Sequence, residues 1–120
     1  MKRLIDGILF DTKKAKKIAD ASHRTGGFDS YDESLYYRKE TENAHSCYFL
    51  SGSGGPQSHY STTENGTTTG DSGIIVLGYT NDNDFDETKE KVLEWIGRHF
   101  VDDELEKVLK KSELAWWTTN

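Results

Sequence analysis

The sequence predicts an α+β domain: a small antiparallel sheet with a short N-terminal helix and two C-terminal helices packed on it. Three observations predict it. The run Gly73-Ile74-Ile75-Val76-Leu77-Gly78-Tyr79 is continuously apolar and bounded by glycine, as in a strand covered on both faces. Leu35–Lys39 and Ser46–Leu50 are rich in β-formers and flank a polar stretch, as in a hairpin. Residues 85–109 carry apolar side chains at helical spacing.

The elements follow in order. Leu4–Phe10 reads as two very short strands around an Asp6-Gly7 turn. Asp11 or Thr12 then caps a helix to about Ala21, with Ala15, Ile18, Ala19 and Ser22 on one face. Thr25-Gly26-Gly27 stops that helix, and 28–33 is a loop or single turn. The hairpin comes next. Residues 51–73 are dominated by Gly, Ser, Thr and Asn and read as a long loop, with short strands around Tyr60 as an option. Gly73–Tyr79 is placed as a central strand. Asp82–Asp86 leads into a helix to about Phe100, and Asp84 with Glu87 has capping-box spacing. Its apolar face is Val92, Leu93, Trp95, Ile96, His99 and Phe100. A second helix starts at Asp102 or Asp103, with Leu105, Val108 and Leu109 inward. Residues 114–120 form a tail.

Composition bounds the class. The chain has 120 residues, which fits a single domain over 1–120. Hydrophobic residues make up 33%, and fourteen aromatics (3 Trp, 6 Tyr, 5 Phe) supply enough buried area for one modest core. No apolar run is long enough to span a membrane, and no apolar stretch follows Met1-Lys2-Arg3 as in a secretory signal. One cysteine, Cys47, excludes a disulfide framework and a multi-cysteine zinc site. A cytoplasmic protein without metal or cofactor is expected.

Net charge is −6 and unevenly spread. Residues 1–24 hold seven Lys/Arg against three Asp/Glu, whereas residues 80–120 hold six against eleven. Nucleic-acid binders present a net basic face, which only the Lys13–Lys17 helix could supply here. The remaining surface repels phosphate and attracts basic partners.

Candidate chemistry is sparse. Ser51–Gly55 offers backbone N–H groups, but no Lys and no helix follow as a phosphate loop requires. Asp82-Asn83-Asp84-Phe85-Asp86 begins like a calcium loop but has Glu87 where glycine belongs and Leu93 where glutamate belongs. His45, Cys47 and His59 are the residues a small enzyme would use, yet their spacing matches no strong signature. His99 reads as a cation at a helix C-terminus. Trp116-Trp117 reads equally as an interface, a homodimer contact included, or as core folded back onto the sheet. The acidic residues remain: Asp82, Asp84, Asp86, Glu87, Glu90 and Glu94 at the first helix, and Asp102, Asp103, Glu104 and Glu106 at the second. They serve as a solvated face with caps or as a negative surface for a basic groove, and the sequence alone leaves both open.

Several landmarks occur in a shared order: Ile5-Asp6-Gly7, Phe10-Asp11-Thr12 with Ala15 and Ala19, Leu35-Tyr36, Tyr48-Phe49-Leu50 with Gly52, Gly54 and Gly55, Ser58-His59-Tyr60, Ile74–Leu77 and Trp95. Through these, residues 3–105 resemble small anti-CRISPR-like proteins of phages and mobile elements of Gram-positive bacteria. The resemblance implies a non-enzymatic inhibitor that binds a CRISPR effector, protein or ribonucleoprotein, and prevents target DNA recognition. A Cas9-type effector is the first expectation and a multi-subunit effector the second. Asp82, Asp84, Asp86, Glu87, Glu90, Glu94, Asp102, Asp103, Glu104, Trp116 and Trp117 are the expected partner-binding residues, the carboxylates acting by acidic DNA mimicry. The alternative is a nucleic-acid-binding accessory protein using the Lys13–Lys17 helix. No catalytic residues are implied.

Overall fold

A computed structural model describes residues 1–112, so Trp116 and Trp117 lie outside the described residues. The chain folds as α+β: among the described residues eight strands are followed by two helices. The strands are β1 (Lys2–Ile5), β2 (Ile8–Asp11), β3 (Lys16–His23), β4 (Tyr31–Arg38), β5 (Cys47–Gly54), β6 (Thr62–Glu64), β7 (Thr67–Thr69) and β8 (Asp71–Tyr79). The helices are α1 (Phe85–His99) and α2 (Asp102–Lys111). The main sheet is antiparallel with order β3-β4-β5-β8, and β1-β2 and β6-β7 are separate two-stranded hairpins.

The first hairpin forms as its sequence dictates. Asp6 and Gly7 have φ of 50° and 78°, the left-handed pair of a tight turn whose twist matches the strands. Asn65-Gly66 repeats this turn between β6 and β7.

The expected N-terminal helix is a strand. The cap at Asp11 is real: its carboxylate accepts from Lys13 N at 3.0 Å, and its carbonyl accepts from Lys14 N and Ala15 N. It closes a single turn. From Lys16 the chain is extended and pairs with β4, with a register shift between Lys17 and Ala19. That bulge lets Ile18, Ala19 and Ala21 all contribute to the helix-side core. A bulged strand thus imitates the helical spacing of small apolar residues.

Residues 51–73 also hold more structure than a loop. Ser51–Gly54 continue β5, β6 and β7 form a separate exposed hairpin, and Asp71–Gly73 open β8. The β4–β5 hairpin matches expectation, with Arg38 opposite Cys47. The apolar strand β8 has both faces covered but lies at the sheet edge rather than the centre.

Alternation along the strands builds two cores on opposite faces of one sheet. On one face Leu35, Tyr48 and Leu50 meet Val92, Trp95, Ile96 and Phe100 of α1 and its end, with Val108 of α2. On the other, Tyr36, Cys47 and Phe49 meet Phe10 of the first hairpin. Phe10 meets Phe49 edge-on at 5.3 Å, while Tyr36 stacks on Phe49 at 5.2 Å. Each buried aromatic contributes about 2–3 kcal/mol through area removed from water.

Helix α1 reaches β8 at Gly78. The residue has φ 155°, and a Cβ there would lie 2.2 Å from Thr88 Oγ1. Thr88 instead donates from that oxygen to the Tyr79 carbonyl at 2.6 Å. The expected capping box is not formed: Asp84 occupies the N-cap position without a side-chain cap bond. Asp86 and Glu87 in the first turn still complement the helix dipole.

Candidate functional site

The two helices and the turn before the first place every predicted acidic residue at the surface. Asp82, Asp84, Asp86, Glu87, Glu90, Glu94, Asp102, Asp103 and Glu104 are all exposed. They arise this way because each helix turns its apolar stripe, Val92-Trp95-Ile96 or Val108, to the sheet and leaves its charges outside. Glu87, Glu90 and Glu94 share one face by helical period. Asp82–Glu87 cluster at the start of α1, and Asp102–Glu104 follow its end. An α-helix rises about 1.5 Å per residue, so α1 separates the two clusters by roughly 20 Å. Two of the nine are drawn into helix pairs, Glu87 with Lys91 at 3.4 Å and Glu94 with Arg98 at 2.9 Å. Glu106 likewise pairs with Lys110 at 3.1 Å.

The Lys13–Lys17 segment is basic but not helical. Lys13 and Lys14 sit in the turn, and Lys16 and Lys17 begin β3. All four are exposed. Lys17 pairs with Asp20 at 3.3 Å.

The residues a small enzyme would have used are dispersed. Cys47 is fully buried in the hairpin-side core, and burial pushes its thiol pKa up, with Arg38 opposing. His45 is exposed and pairs with Glu40 at 3.5 Å. His59 belongs to a different group, centred on Glu33.

Glu33 is the polar centre of the helix-side core, and the sequence reading placed it in a loop. Its side chain is 2% exposed. Oε2 accepts from the Tyr60 hydroxyl at 2.5 Å and lies 2.8 Å from His59 Nε2. Oε1 accepts from Trp95 Nε1 at 3.1 Å. Burial alone would raise the carboxyl pKa, but the bonds from Tyr60, His59 and Trp95 outweigh it and hold it below the usual value. Burial and the adjacent carboxylate raise the Tyr60 phenol.

Gly52 makes room for this arrangement. It faces Glu33 across β4–β5, and a Cβ there would lie 2.5 Å from the Tyr60 hydroxyl. Around the centre, Tyr31 stacks on His23 at 5.1 Å and meets His59 edge-on at 4.7 Å. His99 lies 4.9 Å from the Trp95 ring, and its Nε2 is buried without a hydrogen-bond partner among the described residues. Burial lowers the His99 pKa, so the expected cation at the helix end is disfavoured. No signal in the sequence joins Glu33, His59, Tyr60 and Trp95, which lie on β4, the loop between β5 and β6, and α1.

Chemically, the Glu33 carboxylate is a charged acceptor already committed to three donors, the arrangement of a structural tie between sheet, loop and helix. Among the described residues, no group of three or more His, Cys, Asp or Glu is placed to hold a metal ion, and no helix is long and apolar enough to cross a membrane. No protein-family model matches the chain, and neither a curated protein nor a solved structure is significantly similar to it.

Proposed function

We propose that this protein is a binding inhibitor of the anti-CRISPR kind, docking its acidic helices on a basic nucleic-acid channel of a CRISPR effector. The observation that supports this reading is the exposure of all nine predicted carboxylates on or just before the helices, none of which is spent inside the fold. The effector class comes from the sequence resemblance, with a Cas9-type protein as first expectation. Such effectors read a short duplex motif with arginines and grip nucleic acid in a positively charged channel. A duplex carries one negative charge per about 1.7 Å of its axis, so a ridge of carboxylates roughly 20 Å long offers such a channel a comparable, sparser pattern. Binding of this type is steered by charge, associates fast and weakens with salt. No catalytic step is invoked.

The test is capture of effectors from cells carrying different CRISPR systems, followed by a target-DNA binding assay on whatever is captured. The four-site variant Asp84→Lys, Asp86→Lys, Glu90→Lys and Asp103→Lys is run beside the wild type. The expected result is salt-sensitive capture, blocked DNA binding and association slowed about tenfold or more in the variant. Capture and inhibition unchanged in the variant would dismiss mimicry by this surface. Failure to capture any effector would dismiss the anti-CRISPR reading itself.

A further inference from the structure

The N-terminal basic residues gather at a groove that the acidic helices do not line. Where the β1–β2 hairpin, the turn after it and the paired ends of β3 and β4 meet, a concavity of about 600 Å³ opens. Four cations line it: Lys14, Lys16, Arg38 and Lys39. Leu9 and Tyr37 contribute apolar surface, and Leu9 is 53% exposed. Among the described residues one carboxylate lies with them, that of Asp11. It is only 6% exposed and already holds the Lys13 amide, with Lys2 Nζ at 4.0 Å. Among the described lining residues, Lys14, Arg38 and Lys39 alone outnumber that one carboxylate, in a chain of net charge −6.

Arg38 is the fixed member. Its Nη2 donates to the His45 carbonyl at 2.7 Å, and its guanidinium lies 5.6 Å over the Phe10 ring. Its Nε is buried with no hydrogen-bond partner among the described residues. Lys14 and Lys39 are exposed and line the groove, one from the turn after β2 and one from just past the end of β4.

The geometry points to a site for a phosphorylated small molecule with a planar ring, of the nucleotide class. A volume of this size suits a ligand of a few hundred daltons. Clustered Lys and Arg match phosphate oxygens, and Leu9 with Tyr37 gives the ring an apolar resting surface. The inference is independent of the proposed inhibitor function, because its residues come from β1–β4 and their connections.

The experiment is calorimetric titration of the full chain with adenosine triphosphate, with pyrophosphate alone and with a short single-stranded oligonucleotide. The double variant Lys14→Glu, Lys39→Glu is compared with Lys107→Glu on α2. The expected result is binding of the triphosphate, weaker binding of pyrophosphate, and a loss of about tenfold or more in the double variant only. Binding of the oligonucleotide alone, still lost in the double variant, would keep the phosphate site and transfer it from a free nucleotide to a strand. No heat of binding with any probe, or equal weakening in Lys107→Glu, would overturn the site. Circular dichroism confirms that both variants are folded, and the exposed lysines make that outcome the expected one.

Discussion

His59 Nε2 lies 2.8 Å from Glu33 Oε2, although 26 residues separate the two in the chain. Glu33 is buried and His59 is exposed. The contact therefore closes the interior carboxylate against solvent from the loop side, while Trp95 and Tyr60 hold it from within. The order of the sheet, the path of the 55–61 loop and the seating of α1 all converge on this one carboxylate.

Removing it should cost stability. Glu33→Ala strands the Trp95 N–H and the Tyr60 hydroxyl in the core, and each unsatisfied buried donor costs about 1–3 kcal/mol. We expect Glu33→Ala to lower unfolding stability by about 3 kcal/mol in urea titrations, with Glu33→Gln intermediate. An unchanged midpoint in the alanine variant would show that the three contacts carry no weight.

Among the groups that acid affects, two that pack against the helix-side core, Glu33 and His99, should weaken the fold with the same sign. The Glu33 carboxyl is held below its ordinary 4.5, so its contribution is present above that pH and lost as pH falls through the folded-state value. His99 is held below its ordinary 6.5 chiefly by burial. The unfolded chain therefore gains its proton first, and stability begins to fall as pH drops below about 6.5. Thermal unfolding from pH 7.5 to 3.5 should show both limbs. His99→Gln should flatten the upper one and Glu33→Gln the lower. A variant that leaves its limb intact removes that group from the account.

Gly52 should resist enlargement. A methyl there meets both the Asp32 carbonyl and the Tyr60 hydroxyl at 2.5 Å, so either the β4–β5 ladder or the Tyr60–Glu33 bond must shift. Gly52→Ala is expected to cost about 1–3 kcal/mol. The double variant Gly52→Ala, Tyr60→Phe should cost less than the sum of the two single changes, because both act on one contact. Strict additivity would refute the shared cause.

Cys47 should behave as a core residue. It is fully buried between the sheet and the first hairpin, and its thiol is held protonated by burial. A thiol-specific chromogenic disulfide reagent should label it only as fast as the protein opens, and at once in denaturant. Prompt labelling of the native protein would place the hairpin off the sheet.

Much of this was legible beforehand where periodicity is local. The Asp6-Gly7 turn, the pairing of 35–39 with 46–50 and both C-terminal helices follow from turn chemistry and from 2.0- or 3.6-residue patterns. Exposure of the acidic residues followed as well, because an amphipathic helix has one place to put its charges. The segment 12–21 misled because a β-bulge at Lys17–Ala19 produces the same spacing of small apolar residues as a helix. Only the sheet, which needed a partner for the outer edge of β4, decided between them.

The sequence by itself therefore determined the α+β class, the two helices and the sign of their outer surface. Tertiary structure alone decided that β8 lies at an edge, that Lys14, Arg38 and Lys39 share a groove, and that Glu33, His59, Tyr60 and Trp95 meet. The physical reason is one of range. Turns, caps and amphipathic stripes are written over a few neighbouring residues, whereas a buried carboxylate finds its donors only after distant segments have been packed together and water has been removed from between them.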